Sequence, residues 1–128
     1  MNTKRDLHCA LVTTEIVPFS KVGGLADVMG ALPDELAKLG CSVSVFTPLY
    51  ASIDRTSFGI KPEPGLPTLV SRLSGVQERF RVFSCLKPGT SVKIYFIDSD
   101  RFYARKGIYT LPESGLSIPR RILSARTW

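Results

Sequence analysis

The sequence has few of the residues that build metal centres and disulfide frameworks. It contains one histidine, His8, and three cysteines among 128 residues. Cys9, Cys41 and Cys85 are widely separated, and no CxxC pair occurs. An odd number of scattered thiols argues against a closed disulfide framework and against zinc-ligand spacing. We therefore expect buried free thiols in a reducing compartment, a structural role for His8 and no metal site.

Long apolar segments are missing as well. No run approaches the roughly 20 residues of a membrane span, and the apolar run after the first basic residues is too short for the core of a signal peptide. We expect a cytoplasmic protein with no membrane partner. The net charge of +6 favours anionic partners in general. Because the basic residues are scattered and no aromatic-basic motif of a known reader appears, we expect no nucleic-acid partner.

The order of patterns in the first half of the chain predicts a strand, a helix and a second strand. The nearly continuous apolar run Leu7 to Thr13 predicts a central parallel strand covered on both faces. Ser42 to Phe46 alternates and predicts the second strand. Between them, apolar residues three or four apart predict a helix with one buried face, and these are Leu25, Val28, Met29, Leu32, Leu36 and Leu39. Pro33 predicts a kink or a break into two helices, with Asp34 near the start of the second, and Gly40 predicts a left-handed cap.

The second half of the chain predicts antiparallel hairpins. Tyr50 to Pro67 contains three prolines and little periodicity, and we expect a surface connection there. Thr68 to Leu73, Val76 to Cys85 and Ser91 to Ile97 are strand-like runs separated by glycine-containing turns. The last run is the most uniformly apolar and should return to the interior of the sheet. The predicted fold class is therefore α/β, a Rossmann-like parallel sheet with an antiparallel hairpin insertion.

Lys21, Gly23 and Gly24 lie in the loop between the first strand and the helix. Glycines let the backbone approach a diphosphate closely, the first amides of the helix point to the same place, and the lysine adds a positive charge. Parallel pairing puts this loop at the carboxyl edge of the sheet, where open α/β folds bind ligands. The bare pattern is weak, because a surface lysine beside a flexible turn is the commoner explanation.

The longer string EIVPFSKVGGLADV, residues 15–28, followed by Gly30 to Pro33, resembles the amino-terminal signature of bacterial glycogen synthases and plant starch synthases. Further matches at Pro48-x-Tyr50, Val92 to Asp98 and Gly107 to Tyr109 extend the resemblance over about residues 7–110. The resemblance implies a partial amino-terminal half of a glycosyltransferase B-type fold. It also implies a retaining hexosyltransferase that moves glucose from ADP-glucose to the non-reducing end of an α-1,4-glucan such as glycogen. ADP-glucose is then a substrate, and no cofactor is expected.

The same resemblance implies that Lys21 binds the sugar nucleotide, with Gly23 and Gly24 as backbone contacts. Asp27 and Glu15 are further candidates. Asp27 either orients the loop or meets a sugar hydroxyl, or it only favours the start of the helix through the dipole. Glu15 either lines the acceptor cleft or hydrogen-bonds to the loop. No catalytic residue is assigned. We expect four aromatic residues to pack in the core rather than to form a platform that stacks on sugars, namely Tyr95, Phe96, Phe102 and Tyr103.

The match to the family pattern ends near Leu111. We interpret residues 1–110 as a partial catalytic domain and residues 111–128 as a divergent tail, either disordered or read in a shifted frame. Arg120 and Arg121 stand in surroundings unlike those of the family's arginine, so they receive no role. We expect a fragment without activity of its own. The alternatives are a non-catalytic nucleotide- or glucan-binding module, and a remnant whose exposed sheet edge and apolar surface promote aggregation.

Overall fold

A mixed β-sheet with one helix against it forms the part of the chain that the structure describes. The structure is a computed structural model, and it describes residues 7–99. The expectations for Phe102, Tyr103, Gly107 to Tyr109 and the divergent tail lie outside these residues. In chain order the elements are β1 (His8–Val12), α1 (Gly24–Lys38), β2 (Ser42–Pro48), β3 (Lys61–Pro62), β4 (Leu69–Leu73), β5 (Val76–Leu86) and β6 (Lys93–Asp98).

The sheet has a parallel part and an antiparallel part. Its strand order is β1-β2-β6-β5-β3, and β4 pairs with β5 away from this path. β1 and β6 both run parallel to β2, whereas β5 runs antiparallel to β6, β4 and β3. The predicted α/β class, the parallel pair around the glycine loop and the antiparallel hairpins are therefore confirmed. The return of the last strand to the sheet interior is also confirmed, because β6 lies between β2 and β5.

The core lies on one face of the sheet. Val45 on β2 and its register partner Ile94 on β6 are fully buried, as is Phe96. The ring of Phe19, from the loop after β1, packs edge-on against Phe96 with 5.2 Å between centroids. The expected core role of Phe96 is confirmed. Tyr95, on the opposite face, is half-buried and stacks on Phe46 at 5.1 Å.

The connection between β2 and β4 is partly interior, so its prediction as a surface segment was wrong. Ile53 and Ile60 are 5% and 6% exposed and belong to the core. Phe58 packs against Phe19 with ring centroids 4.6 Å apart. The prolines exclude long regular elements from this segment, but isolated apolar side chains still reach the core from an irregular backbone. Sequence periodicity does not detect such contacts.

β1 lies at an edge of the sheet, and the prediction of a centrally covered strand was wrong. Its side chains alternate between exposed and half-buried, and Val12 is 82% exposed. Within the described residues, β1 pairs with β2 on one side only. The strand's apolar composition suits a covered position, but the residues that the structure describes leave it partly exposed.

Helix α1 is continuous, so of the two alternatives predicted at Pro33, a kink or a break into two helices, the break was wrong. Pro33 lies inside the helix and is buried, so Asp34 is an interior helical residue rather than part of a helix start. The predicted left-handed cap at the other end is confirmed, because Gly40 has φ +90°. No helix in the described part of the chain is long and apolar enough to cross a membrane.

The buried face of α1 also differs from the predicted one. Its buried residues are Ala26, Met29, Gly30 and Pro33. Four of the predicted core residues are instead exposed by at least a third, namely Leu25, Val28, Leu32 and Leu39. Of the predicted face, Met29 is buried in the core as expected, and beside it the helix presents small residues to the core rather than Leu25, Val28 and Leu32.

The cysteines are free thiols, as predicted, but they are only half-buried. Burial raises the pKa of Cys85 to about 11, so this side chain is a thiol at neutral pH. Partial burial and a hydrogen bond with Cys9 raise the pKa of Cys41. His8 is structural: its Nε2 atom lies 2.9 Å from Ser44 Oγ and links β1 to β2.

Gly30 determines how closely α1 approaches the loop after β1. A Cβ atom at this position would overlap Cγ2 of Val17 and come within 3.4 Å of the Val17 carbonyl oxygen. The same contact zone contains the hydrogen bond from Val17 N to Ala26 O, 3.2 Å long. The Val17 side chain is branched and its carbonyl belongs to the backbone, so neither group can move easily to make room for a Cβ atom.

We predict that Gly30→Ala lowers the free energy of unfolding by about 1–3 kcal/mol, the usual cost of overpacking, despite the better helix propensity of alanine. Gly24→Ala is the matched control, because nothing lies within 4 Å of a Cβ atom at Gly24. That variant should be neutral or slightly stabilising. Urea unfolding measures both, and equal effects of the two substitutions would refute the close-approach argument.

Candidate functional site

The loop that leaves the carboxyl end of β1 is held firmly before it reaches the glycines. Ile16 and Phe19 are buried in the core. The backbone amide of Ser20 donates to the Ile16 carbonyl at 2.9 Å, and the Ser20 hydroxyl accepts from the Ile16 amide at 3.3 Å. Tyr50 donates from its hydroxyl to the Thr14 carbonyl at 2.8 Å, which fastens the loop to the residues after β2. The turn from Ile16 to Ser20 is therefore held by hydrogen bonds and core packing just before the glycines.

Glu15 is buried at the centre of this loop, with 2% exposure. Its Oε2 atom accepts from the Val22 amide at 2.9 Å, and its Oε1 atom accepts from the amides of Gly23 and Ala26 at 3.3 Å and 3.1 Å. The Thr13 hydroxyl donates to the Glu15 carbonyl at 2.8 Å. Of the two roles left open for Glu15, this geometry is that of hydrogen bonding to the loop.

Lys21 and Asp27 form an ion pair across the mouth of the loop. The Lys21 ammonium lies 2.9 Å from Oδ1 and 2.8 Å from Oδ2 of Asp27. Both side chains are more than half exposed, at 53% and 57%. The structure thus brings these two candidate residues into direct contact, and the exposed lysine is accessible to an external anion. Asp27 also stands in the first turn of α1, where the helix dipole favours a carboxylate.

The two glycines differ in their surroundings. Gly23 is the N-cap of α1 with an extended backbone, at φ −149° and ψ −158°, so its conformation does not require glycine. Its amide is already bonded to Glu15. In front of Gly24 the space is open, with nothing within 4 Å of the point that a Cβ atom would occupy. The Gly23 amide is therefore used inside the protein, and the predicted ligand contact of Gly24 stays a prediction.

The charges of this site are not strongly positive. From Glu15 to Asp27 the sequence has one lysine and two carboxylates, a net charge of −1. The positive end of the α1 dipole adds about half a charge. Residues 15–27 therefore offer an external anion one accessible cation rather than a basic pocket. In the described residues no group of histidine, cysteine or acidic side chains is arranged to hold a metal ion.

A separate cavity of about 330 Å³ lies between β4, β5 and the end of β6. Its lining residues are Thr68, Glu78, Arg79, Phe80, Arg81, Asp98 and Ser99. None of the residues predicted for the site is among them. We therefore locate the candidate site from the chemistry of the loop and not from this cavity.

Sequence reasoning did not identify two residues that hold the loop in place. Thr13 gives no pattern signal of its own, because a threonine at the end of a strand is common. Tyr50 is recognisable in the sequence only as part of the Pro48-x-Tyr50 match. Its hydrogen bond to Thr14 spans 36 residues and cannot be deduced from local sequence.

Comparison with known proteins identifies the chain's relatives. A family model described as starch synthase catalytic domain matches residues 8–119. The chain is 37% identical over 111 residues to glycogen synthase 1 of Geobacter metallireducens, covering 87% of this chain and 22% of that protein. It is 40% identical over 103 residues to glycogen synthase 1 of Geobacter sulfurreducens, covering 80% and 20%. The chain thus spans about a fifth of the length of these relatives.

A solved structure shares the fold. The catalytic domain of starch synthase IV from Arabidopsis thaliana, bound to ADP and acarbose, superimposes with a TM-score of 0.72 at 22% sequence identity. The match covers 83% of this chain and 22% of that chain. At this level of identity the similarity establishes the fold of the sheet and helix described here.

The Lys21–Asp27 pair should contribute little to stability, because exposed ion pairs are usually worth no more than about 1 kcal/mol. We predict that Asp27→Asn changes the free energy of unfolding by less than that amount. Asp34→Asn is the contrasting variant. Asp34 bonds to Lys87 at 2.7 Å, and these side chains are only 29% and 11% exposed. Its loss should cost about 1–3 kcal/mol. Urea unfolding that gave equal losses would mean that Asp27 has a mainly structural role.

Proposed function

The chain belongs to the family of starch synthase catalytic domains, and from this we propose that it provides the sugar-nucleotide loop of an ADP-glucose-dependent glucan synthase. The reaction is transfer of glucose from ADP-glucose to the non-reducing end of an α-1,4-glucan, with retention at the anomeric carbon. The observation that carries the proposal is the exposed Lys21 ammonium, on a loop that leads from the end of the parallel strand β1 into the start of α1.

The geometry suits this chemistry. When the glucosyl bond breaks, negative charge develops on the departing diphosphate, and a fixed ammonium with backbone amides stabilises that charge. Lys21 is held by Asp27 until a phosphate competes for it. Because the pair is exposed and worth little, its rearrangement costs little. Asp27 would then be released to accept a hydrogen bond from a ligand hydroxyl.

The proposed donor and acceptor agree with what is known of the relatives. The bacterial relatives are glycogen synthases, and the plant structure was solved with ADP and acarbose bound. The proposal therefore includes ADP-glucose and an α-1,4-glucan as ligands, no nucleic acid, and no cofactor, since ADP-glucose is itself the donor. We also propose a cytoplasmic location, with which the three free cysteines agree.

A second candidate function is a binding module without catalysis. The net charge of −1 on the loop favours it, because one lysine cannot offset a diphosphate. Catalysis between two walls of a cleft relies on groups held on both sides of the substrate. The chain spans about a fifth of its relatives' length, so we expect weak binding and no robust turnover by this polypeptide alone.

We predict that Lys21→Ala weakens ADP-glucose binding by about 10-fold, the effect of one charge-assisted contact. Lys38→Ala is the matched control, because it removes the same charge from an exposed pair with Glu35 at the far end of α1. A titration followed by backbone amide chemical shifts measures weak affinities. If both variants bind as the wild type does, Lys21 does not belong to the site.

Glucose incorporation from labelled ADP-glucose into glycogen tests the assignment of activity. We expect no incorporation above background by the 128-residue chain alone. Saturable ADP-glucose binding without incorporation supports a donor-binding part of a synthase. Robust turnover would contradict the expectation of an inactive fragment, and absence of ADP-glucose binding would contradict the proposed function.

A further inference from the structure

The carboxylate of Glu15 occupies the position at which an anion would be expected to bind. It is 2% exposed and accepts hydrogen bonds from the amides of Val22, Gly23 and Ala26. Within the described residues none of the ion pairs includes Glu15. Its negative charge is therefore balanced by backbone N–H groups and by the positive end of the helix dipole.

This arrangement limits which amides remain for a ligand. A helix leaves the amides of its N-cap and first three residues without intrahelical partners. In α1 these are Gly23, Gly24, Leu25 and Ala26. Glu15 accepts from the first and the last of them, so the amides of Gly24 and Leu25 remain. Gly23 has no side chain that could cap the helix, and Glu15 performs that function from eight residues upstream.

We propose that Glu15 is a positioning residue that acts as a built-in anion in this site. It fixes the glycine loop in its ligand-binding shape before any ligand arrives, and it confines phosphate binding to the amides of Gly24 and Leu25 beside Lys21. It also repels a small free anion, which would otherwise settle on the helix end. The part that concerns the sugar nucleotide rests on the proposed function, whereas the part that concerns the free loop does not.

The first test uses the wild-type chain without ligand. Hydrogen exchange followed by NMR should show the three amides that donate to Glu15 protected by about 10-fold or more over those of Gly24 and Leu25, because a charge-assisted hydrogen bond must open before exchange. Equal, rapid exchange at all five amides would overturn the proposal. This measurement needs no variant and so does not depend on whether a substituted chain folds.

The second test replaces the charge. Glu15→Gln keeps the shape of the side chain, but its amide nitrogen cannot accept a hydrogen bond. At least one of the three donor amides should then exchange about 10-fold faster. Glu35→Gln removes a carboxylate from the exposed pair with Lys38 and should leave these amides unchanged. Unchanged exchange in Glu15→Gln would overturn the proposal.

The third test measures anion selectivity with inorganic phosphate and with ADP-glucose. Glu15→Gln should bind inorganic phosphate about 5-fold to 10-fold more tightly than the wild type, because a neighbouring like charge is gone. The same variant should bind ADP-glucose less tightly, because the loop is no longer held. Equal changes in the same direction for both ligands would overturn the built-in anion role.

The outcomes separate this inference from the proposed function. If the wild-type chain does not bind ADP-glucose but Glu15→Gln gains phosphate affinity and loses amide protection, the role of Glu15 stands and the proposed function fails. If ADP-glucose binds through Lys21 while the amides that donate to Glu15 are unprotected, the proposed function stands and the role of Glu15 fails.

Discussion

The buried carboxylate of Glu15 is the interaction on which the rest of the site depends. A charged group at 2% exposure is tolerated only when it is well hydrogen-bonded, and the donors here are the backbone of the glycine loop and the start of α1. The loop cannot move without leaving this charge unsatisfied. Thr13 holds Glu15 from the strand side, and the close packing of Gly30 on Val17 holds the helix against the same loop. The position of Lys21 follows from these contacts.

Patterns of apolar residues predicted the order and type of most elements, but not what each element covers. β1, α1 and β2 follow from periodicity and turn chemistry, as do β4, β5 and β6, whereas the two-residue strand β3 was not predicted. The errors at β1 and on the helix face have one cause. An apolar run such as Leu7 to Thr13 indicates that an element suits a buried position, and so does the stripe of Leu25, Val28 and Leu32. In the part of the chain that the structure describes, however, nothing packs over most of these side chains closely enough to bury them. Close packing instead selects the small residues Ala26 and Gly30, which a hydrophobicity pattern ranks low.

The sequence predicted which loop forms the candidate site, but it did not predict the hydrogen bonds that hold this loop. Lys21 and the glycines are recognisable because consecutive glycines before a helix form a distinctive pattern. Nothing local indicates that Glu15 bonds to amides seven to eleven residues ahead, or that Tyr50 reaches back to Thr14. Such bonds depend on how the chain folds back on itself. The same contacts change the role of Gly23, whose amide is used inside the protein.

The electrostatics of the loop explain why the proposed site depends on a single lysine. Glu15 already satisfies two of the four unpaired amides at the start of α1 and offsets its dipole. The helix end is therefore a weaker attractor for phosphate than the glycine pattern suggests. What attraction remains comes mainly from Lys21, which Asp27 partly neutralises until a ligand arrives. A site organised in this way favours shape over charge, because under the proposed function it presents a fixed loop with one cation to the diphosphate.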